Sequence, residues 1–229
     1  MTLVQKEVKS VYKWSTLVRP EWGGRLPSAY QEVEYIQSSG KCKIDTWFSP
    51  SWSYLKIETK LNLNSLSYWT PWNTLFIYGY TASNYCFLGR NAWSGNFEFW
   101  NGNSPQGTNV SVSAWIDYVI QNVADNWTQT ININGNTTTS SCGTSLNTWV
   151  IPLFCRYGDA YSGPGYEYGY YATDLKVYYF KIYTATNTLA RDFVPCYRKS
   201  DSVIGMYDLV NDVFYTNSWS GTFTKWSNV

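Results

Sequence analysis

Histidine is absent from the chain, so a Ser-His-Asp triad, a Cys-His pair and any His-dependent metal site are excluded at the outset. Carboxylate pairs remain as candidates for acid–base chemistry. Glu32 and Glu34 have the i, i+2 spacing that puts two side chains on one face of a strand. Hydrolysis of a glycosidic bond needs two carboxyls about 5–5.5 Å apart for retention, or about 6.5–9.5 Å for inversion. Glu98, Asp117 and Asp125 stand isolated in sequence. Five cysteines, Cys42, Cys86, Cys142, Cys155 and Cys196, form no CxxC pair and are odd in number. They indicate neither a zinc ribbon nor a complete disulfide framework, and they read as small buried hydrophobes.

A second chemistry lies in rings and amides. Aromatic residues make up 19% of the 229 and charged residues only 14%, against roughly 25% charged in ordinary soluble domains. Residues 61–89 carry no charge, and 91–155 carry no Lys or Arg. The middle of the chain stays soluble through Asn, Ser, Thr and Gly, whose amides and hydroxyls also hydrogen-bond neutral sugars. Loops that add Trp and Tyr supply flat faces for the C–H side of a pyranose ring. The candidates are Trp69 and Trp72 in SLSYWTPWN, Asn91 and Trp93 after Arg90, and Tyr157, Asp159, Tyr161, Tyr166 and Tyr168 in the Gly/Tyr-rich stretch 157–171. Each has an alternative role as a packed core or loop-anchoring aromatic. The net charge of +1 argues against nucleic acid or an anionic membrane as partner. A run of 18 apolar residues is missing, so no membrane span is expected. MTLVQKEVKS lacks an apolar core, so no Sec signal is expected either.

These residues must be positioned by strands, because the hydrophobic period is two. Leu55, Ile57, Leu61 and Leu63 alternate with Lys56, Glu58, Lys60 and Asn62. Asn134-Gly135 between β-prone runs signals a type I′ hairpin. Further strands are expected at Glu32–Ile36, Lys43–Phe48, Thr74–Tyr78, Cys86–Leu88, Phe97–Trp100, Val110–Ala114, Ile116–Gln121, Trp149–Phe154, Leu175–Tyr183, Val203–Asp208 and Val213–Thr216. More than ten short strands without a helical stripe predict an all-β, two-sheet antiparallel sandwich or a barrel. Residues 1–24 read as an N-terminal arm or attachment segment, and 25–229 as one domain. RDFVPCYRKSD (Arg191–Asp201) reads as an ion-pair and turn network that closes the fold.

Two segments carry a resemblance. LPSAYQEVEYIQSSGKCKIDT (Leu26–Thr46) and FKIY…LARDFVPCYRKSDSVIGMYDLVNDVFYTNSWSGTF (Phe180–Phe223) resemble the opening and closing parts of concanavalin A-like, laminin-G-like jelly-roll domains. Such domains occur in tail and tail-fibre proteins of phages and prophages from gut bacteria. FLGRNAWSGNFEFWNG (Phe87–Gly102) is similar to that family in pattern. The resemblance implies a jelly-roll sandwich and a virion location, made in the host cytoplasm. It also implies non-enzymatic binding of a glycan or host-surface receptor, contacts with other tail proteins and a homo-oligomer such as a trimer. A structural virion module, or a glycoside hydrolase on the same fold, are the alternatives. The E-x-D-x-x-E run that hydrolases of this fold use is missing, and relatives carry Glu32 and Glu34 as ordinary strand residues. No cofactor is expected. Calcium, which some laminin-G-like sandwiches hold, wants six to eight oxygens, and Asp159 with Asp174 is the best pair on offer. Trp47, Trp219 and Trp226 stand where relatives typically carry Gly. Turn glycines often hold a positive φ that Trp tolerates poorly. UGA codons read as Gly would explain all three, whereas UGG codons make them exposed aromatics and candidate ligand platforms.

Overall fold

The computed structural model describes residues 25–40, 42–50, 54–66, 74–80, 85–91, 93–102, 105–125, 127–141, 150–156, 170–171, 173–184 and 188–229. The proposed arm, residues 1–24, lies outside them. Among the described residues there are nineteen strands and no helix. In chain order they are β1 Tyr30–Glu32, β2 Ile36–Ser39, β3 Ile44–Asp45, β4 Tyr54–Leu63, β5 Thr74–Tyr80, β6 Tyr85–Asn91, β7 Asn96–Gly102, β8 Pro105–Ser111, β9 Asp117–Asp125, β10 Thr128–Ile133, β11 Asn136–Ser141, β12 Pro152–Leu153, β13 Cys155–Arg156, β14 Tyr170–Tyr171, β15 Thr173–Thr184, β16 Thr188–Arg198, β17 Ile204–Asp208, β18 Val213–Thr216 and β19 Phe223–Lys225.

The large sheet runs β11-β10-β9-β4-β15-β16-β17-β18, with β1 on β16, and with β2 between β15 and β19. The smaller sheet runs β3-β12-β5-β6-β7-β8, and β13 pairs with β14. The pairings are antiparallel, and the two sheets stack as a jelly-roll sandwich. The core follows from alternation. Leu55, Ile57, Leu61 and Leu63 of β4, Ile120 of β9 and Ile131 and Ile133 of β10 are buried, as are Leu88, Phe97 and Phe99 from the opposite sheet. Phe97, Phe99, Phe154, Phe180 and Phe193 are fully buried, each worth about 1.5–3 kcal/mol of burial.

Strand β15 departs from strict alternation. Val177 faces Leu61 across the ladder and Tyr179 faces Lys60, so Tyr178 is the extra residue of a bulge. The bulge switches the inward set from Leu175 and Val177 to Phe180 and Ile182, all buried. On the neighbouring strand the Thr59 hydroxyl donates to the Tyr179 carbonyl at 2.7 Å, which satisfies an acceptor beside the bulge. The Asn134-Gly135 turn has φ values of 49° and 89°, the signs a type I′ turn requires.

Several expectations change: Lys43–Phe48 shortens to Ile44–Asp45, Trp149–Phe154 gives way to Pro152–Leu153 and Cys155–Arg156, and the strand expected at Val110–Ala114 ends at Ser111. Glu32–Ile36 is not one strand: β1 ends at Glu32 and β2 begins at Ile36. Between them the chain changes neighbours, with Val33 N–H donating to Pro195 O and Glu34 N–H to Ser227 O. A period of two cannot show such a crossing. Arg191–Asp201 is also more than a turn network, because its first eight residues complete the eleven-residue strand β16. Among the described residues four of its five charges are paired: Arg191 with buried Asp208 at 3.5 Å, Asp192 with Lys181 at 3.3 Å, and Arg198 with Asp201 at 2.7 Å.

Candidate functional site

The outer face of the large sheet carries a built surface. Thr224, Gln37, Lys176, Asn62 and Asp117 stand in register across β19, β2, β15, β4 and β9. Five polar side-chain types therefore form one row across five strands. Aromatic rings flank it. The Tyr35 ring is stacked on Trp226 at 5.9 Å with an 11° interplanar angle, and it meets Tyr178 edge-on at 5.3 Å. Trp115, in the turn before β9, is 70% exposed, and Trp226, just after β19, is 58% exposed. Tyr35 is buried beneath them. Two ammonium groups lie against these rings: Lys60 Nζ is 4.2 Å from the Tyr178 centroid, and Lys176 Nζ is 4.6 Å from Tyr35 and 5.6 Å from Trp115.

The charges of the row are not equivalent. Asp117 is fully committed: its carboxylate pairs with Lys60 at 2.8 Å and accepts from Asn62 Nδ2 at 2.8 Å and from the Tyr178 hydroxyl at 3.1 Å. Burial alone would raise the Asp117 pKa, yet the Asn62 and Lys60 hydrogen bonds and the Lys60 charge outweigh it and hold the carboxyl below its ordinary range. Burial, and then the Asp117 charge, push the Tyr178 phenol well above the usual tyrosine value. It stays a neutral donor. Asn62 gives its amide hydrogens to Asp117 while its buried Oδ1 has no hydrogen-bond partner. Gln37 donates to Asp174 Oδ1 at 3.4 Å.

Asn91 and Trp93 lie elsewhere, on the β6–β7 hairpin of the smaller sheet. Asn91 Oδ1 accepts from the Trp93 and Ser94 N–H groups at 2.8 and 3.1 Å, and its Nδ2 donates to Glu98. This amide is spent on building the turn, whereas Trp93 is 84% exposed at its tip. Glu98 sits on the face opposite Phe97 and Phe99 by strand alternation, between Gly89 and Gly107 in register. Burial raises its pKa. Trp69, Trp72, Tyr157, Asp159, Tyr161, Tyr166 and Tyr168 lie outside the described residues. Asp174, the proposed calcium partner of Asp159, is already the acceptor for Gln37. Among the described residues no group of three or more acidic or cysteine side chains is placed to hold a metal ion.

Of the carboxylates with catalytic spacing, Glu32 is ion-paired with Arg25, and Glu34 lies in the segment that crosses between β1 and β2. Glu98 and Asp117 sit on different sheets. Of Trp47, Trp219 and Trp226, only Trp47 has a positive φ, 50°. Arg191 pins its loop by donating to the Thr46 and Trp47 carbonyls at 3.2 and 3.3 Å. Sequence reasoning missed the row of the large sheet because β2, β4, β9, β15 and β19 meet only through long-range pairing. One local signal existed: the double tyrosine in DLKVYYF breaks alternation where the bulge turns Tyr178 outward.

No family model matches the chain, and no curated protein matches it. Its architecture is shared with solved structures. A protein of Bacteroides ovatus named for carbohydrate binding superposes with a TM-score of 0.56 at 13% identity, over 86% of this chain and 62% of that one. A heptameric pentraxin of Limulus polyphemus gives 0.45 at 10% identity, covering 65% and 76%. Domains LG4-5 of the mouse laminin α1 chain give 0.46 at 11% identity, covering 84% and 50%. The chain thus spans under two thirds of the length of the Bacteroides protein, and at these identities the likeness is one of fold.

Proposed function

We propose that this sandwich is a non-enzymatic, lectin-like domain that binds a carbohydrate or another host-surface receptor, and that it serves in a phage tail or tail fibre. The observation that carries the binding role is the row Gln37–Lys176–Asn62–Asp117 framed by Trp115, Tyr35, Tyr178 and Trp226. It offers hydrogen-bond groups at strand spacing between two exposed ring faces, which suits a pyranose with hydroxyls at its rim and C–H bonds on its face. The Bacteroides neighbour, named for carbohydrate binding, supports the same reading on the same fold. The tail location rests on the resemblance of Leu26–Thr46 and Phe180–Phe223. In a fibre, weak single sites would be compensated by multivalency, and a closed cyclic homo-oligomer such as a trimer is the natural arrangement.

A glycan array probed with the chain displayed multivalently tests the binding role. Saturable retention on a subset of glycans is expected; no retention at high valency refutes it. A polysaccharide panel tests the non-enzymatic part, and turnover lost on Glu32→Gln or Glu34→Gln would reverse it. Labelled antibodies that decorate virion tails are expected for the tail role, and a virion lacking the chain would contradict it.

A further inference from the structure

We infer that the ligand of the large-sheet surface is an acidic saccharide, one that carries a carboxylate or sulfate, and that Lys176 is the residue that selects it. This rests on the glycan-binding reading above and narrows its ligand class. The two lysines of the surface differ. Lys60 is already neutralised by Asp117 at 2.8 Å. Lys176 makes no ion pair and no hydrogen bond among the described residues. Its only partners among the described residues are the faces of Tyr35 at 4.6 Å and Trp115 at 5.6 Å. Rings hold an ammonium through their quadrupole but leave its three N–H donors unused.

An anionic group is the partner that uses those donors. Charge-assisted hydrogen bonds are roughly twice as strong as neutral ones, and apolar ring surroundings screen them less than water does. Asp117 cannot serve, being held by Lys60, Asn62 and Tyr178. Two further carboxylates lie in the region: Asp174 accepts from Gln37 at 3.4 Å, and the Glu34 charge acts on the Tyr178 end of the surface; neither is ion-paired with Lys176 among the described residues. A sugar acid supplies an oxygen acceptor to Lys176, and its ring would lie on Trp115 or Trp226. A neutral sugar leaves the ammonium without an anion.

The test uses an array of uronate- and sialate-terminated glycans, each printed beside its neutral counterpart, the methyl ester or the asialo form. The wild-type chain is expected to bind the acidic member about tenfold more tightly or better, as a charged hydrogen bond implies. Lys176→Gln should erase that preference, bringing the acidic member down to the level of its neutral counterpart on the same variant, and Lys176→Arg should keep it. Equal binding of acidic and neutral members overturns the inference, as does a preference that survives in Lys176→Gln. Either result leaves the glycan-binding reading standing. Retention of no glycan by the wild-type chain would instead sink both.

Discussion

Replacing Trp47 separates what its ring contributes from what its backbone costs. The residue holds a φ of 50° and its side chain is 70% exposed. An L-residue in the left-handed region is disfavoured by about 1–2 kcal/mol, while glycine gives back about 0.5–1 kcal/mol through its freer unfolded chain. Trp47→Gly and Trp47→Ala lose the same ring, so the ring drops out of their difference. Glycine should then be the more stable of the two by about 0.5–1 kcal/mol. At Trp226, where φ is not positive, the order should invert by a similar amount, because alanine is the better residue on an ordinary backbone. Urea unfolding of the four variants is the assay, read as midpoint shifts at unchanged slope. An alanine at position 47 as stable as glycine would show that the Arg191 clamp does not force a left-handed residue there. The same comparison bears on codon usage, since of Trp47, Trp219 and Trp226 only Trp47 has a glycine-like backbone.

Further outcomes follow from other residues. Phe193→Ala should cost about 3–5 kcal/mol in chemical denaturation, since the ring is fully buried between Phe180 at 6.3 Å and Tyr215 at 5.3 Å. Burial raises the pKa of Glu98, so the folded state holds its proton more tightly than the unfolded chain does. The stability it contributes is complete below the unfolded carboxyl value and is lost as pH rises through the folded one. Glu98→Gln should therefore raise the melting temperature at pH 7 and have little effect near pH 3; a lower melting temperature at pH 7 would contradict this. Glu58 has the opposite sign. Burial pushes its pKa up, but hydrogen bonds from Lys56, Tyr183 and Gln121 pull it below the ordinary value. Its contribution is present above the unfolded pKa and disappears as pH falls through the folded one. Glu58→Gln should cost about 1 kcal/mol at pH 7 and nothing once wild-type Glu58 is protonated, as thermal melts across pH 2–7 would show.

Sequence pattern made the sandwich legible where one strand face is buried and the other wet. Leu55 to Leu63 alternates cleanly, and Asn134-Gly135 announces its own turn. It was silent where pairing is long-range. Nothing in Thr188–Arg198 marks an eleven-residue strand, because Asp192 is buried beside its ion-pair partner and Pro195 interrupts the run. The same limit hid the candidate site. Ring-rich loops stand out in composition, so Asn91 and Trp93 were visible, yet the Asn91 amide is consumed by its own hairpin. Lys176, Asn62 and Asp117 look like ordinary outward strand residues until the register of three strands aligns them. Tyr35 gives no sign of its role either, because the chain crosses between strands there.

The central claim, that ligand meets the outer face of the large sheet, is tested most directly by mapping amide chemical shifts on titration with the strongest array glycan. Tyr35, Lys60, Asn62, Trp115, Asp117, Lys176, Tyr178 and Trp226 are expected to move together with one saturation curve. Shifts concentrated on the hairpin around Trp93, with this row unmoved, would contradict it.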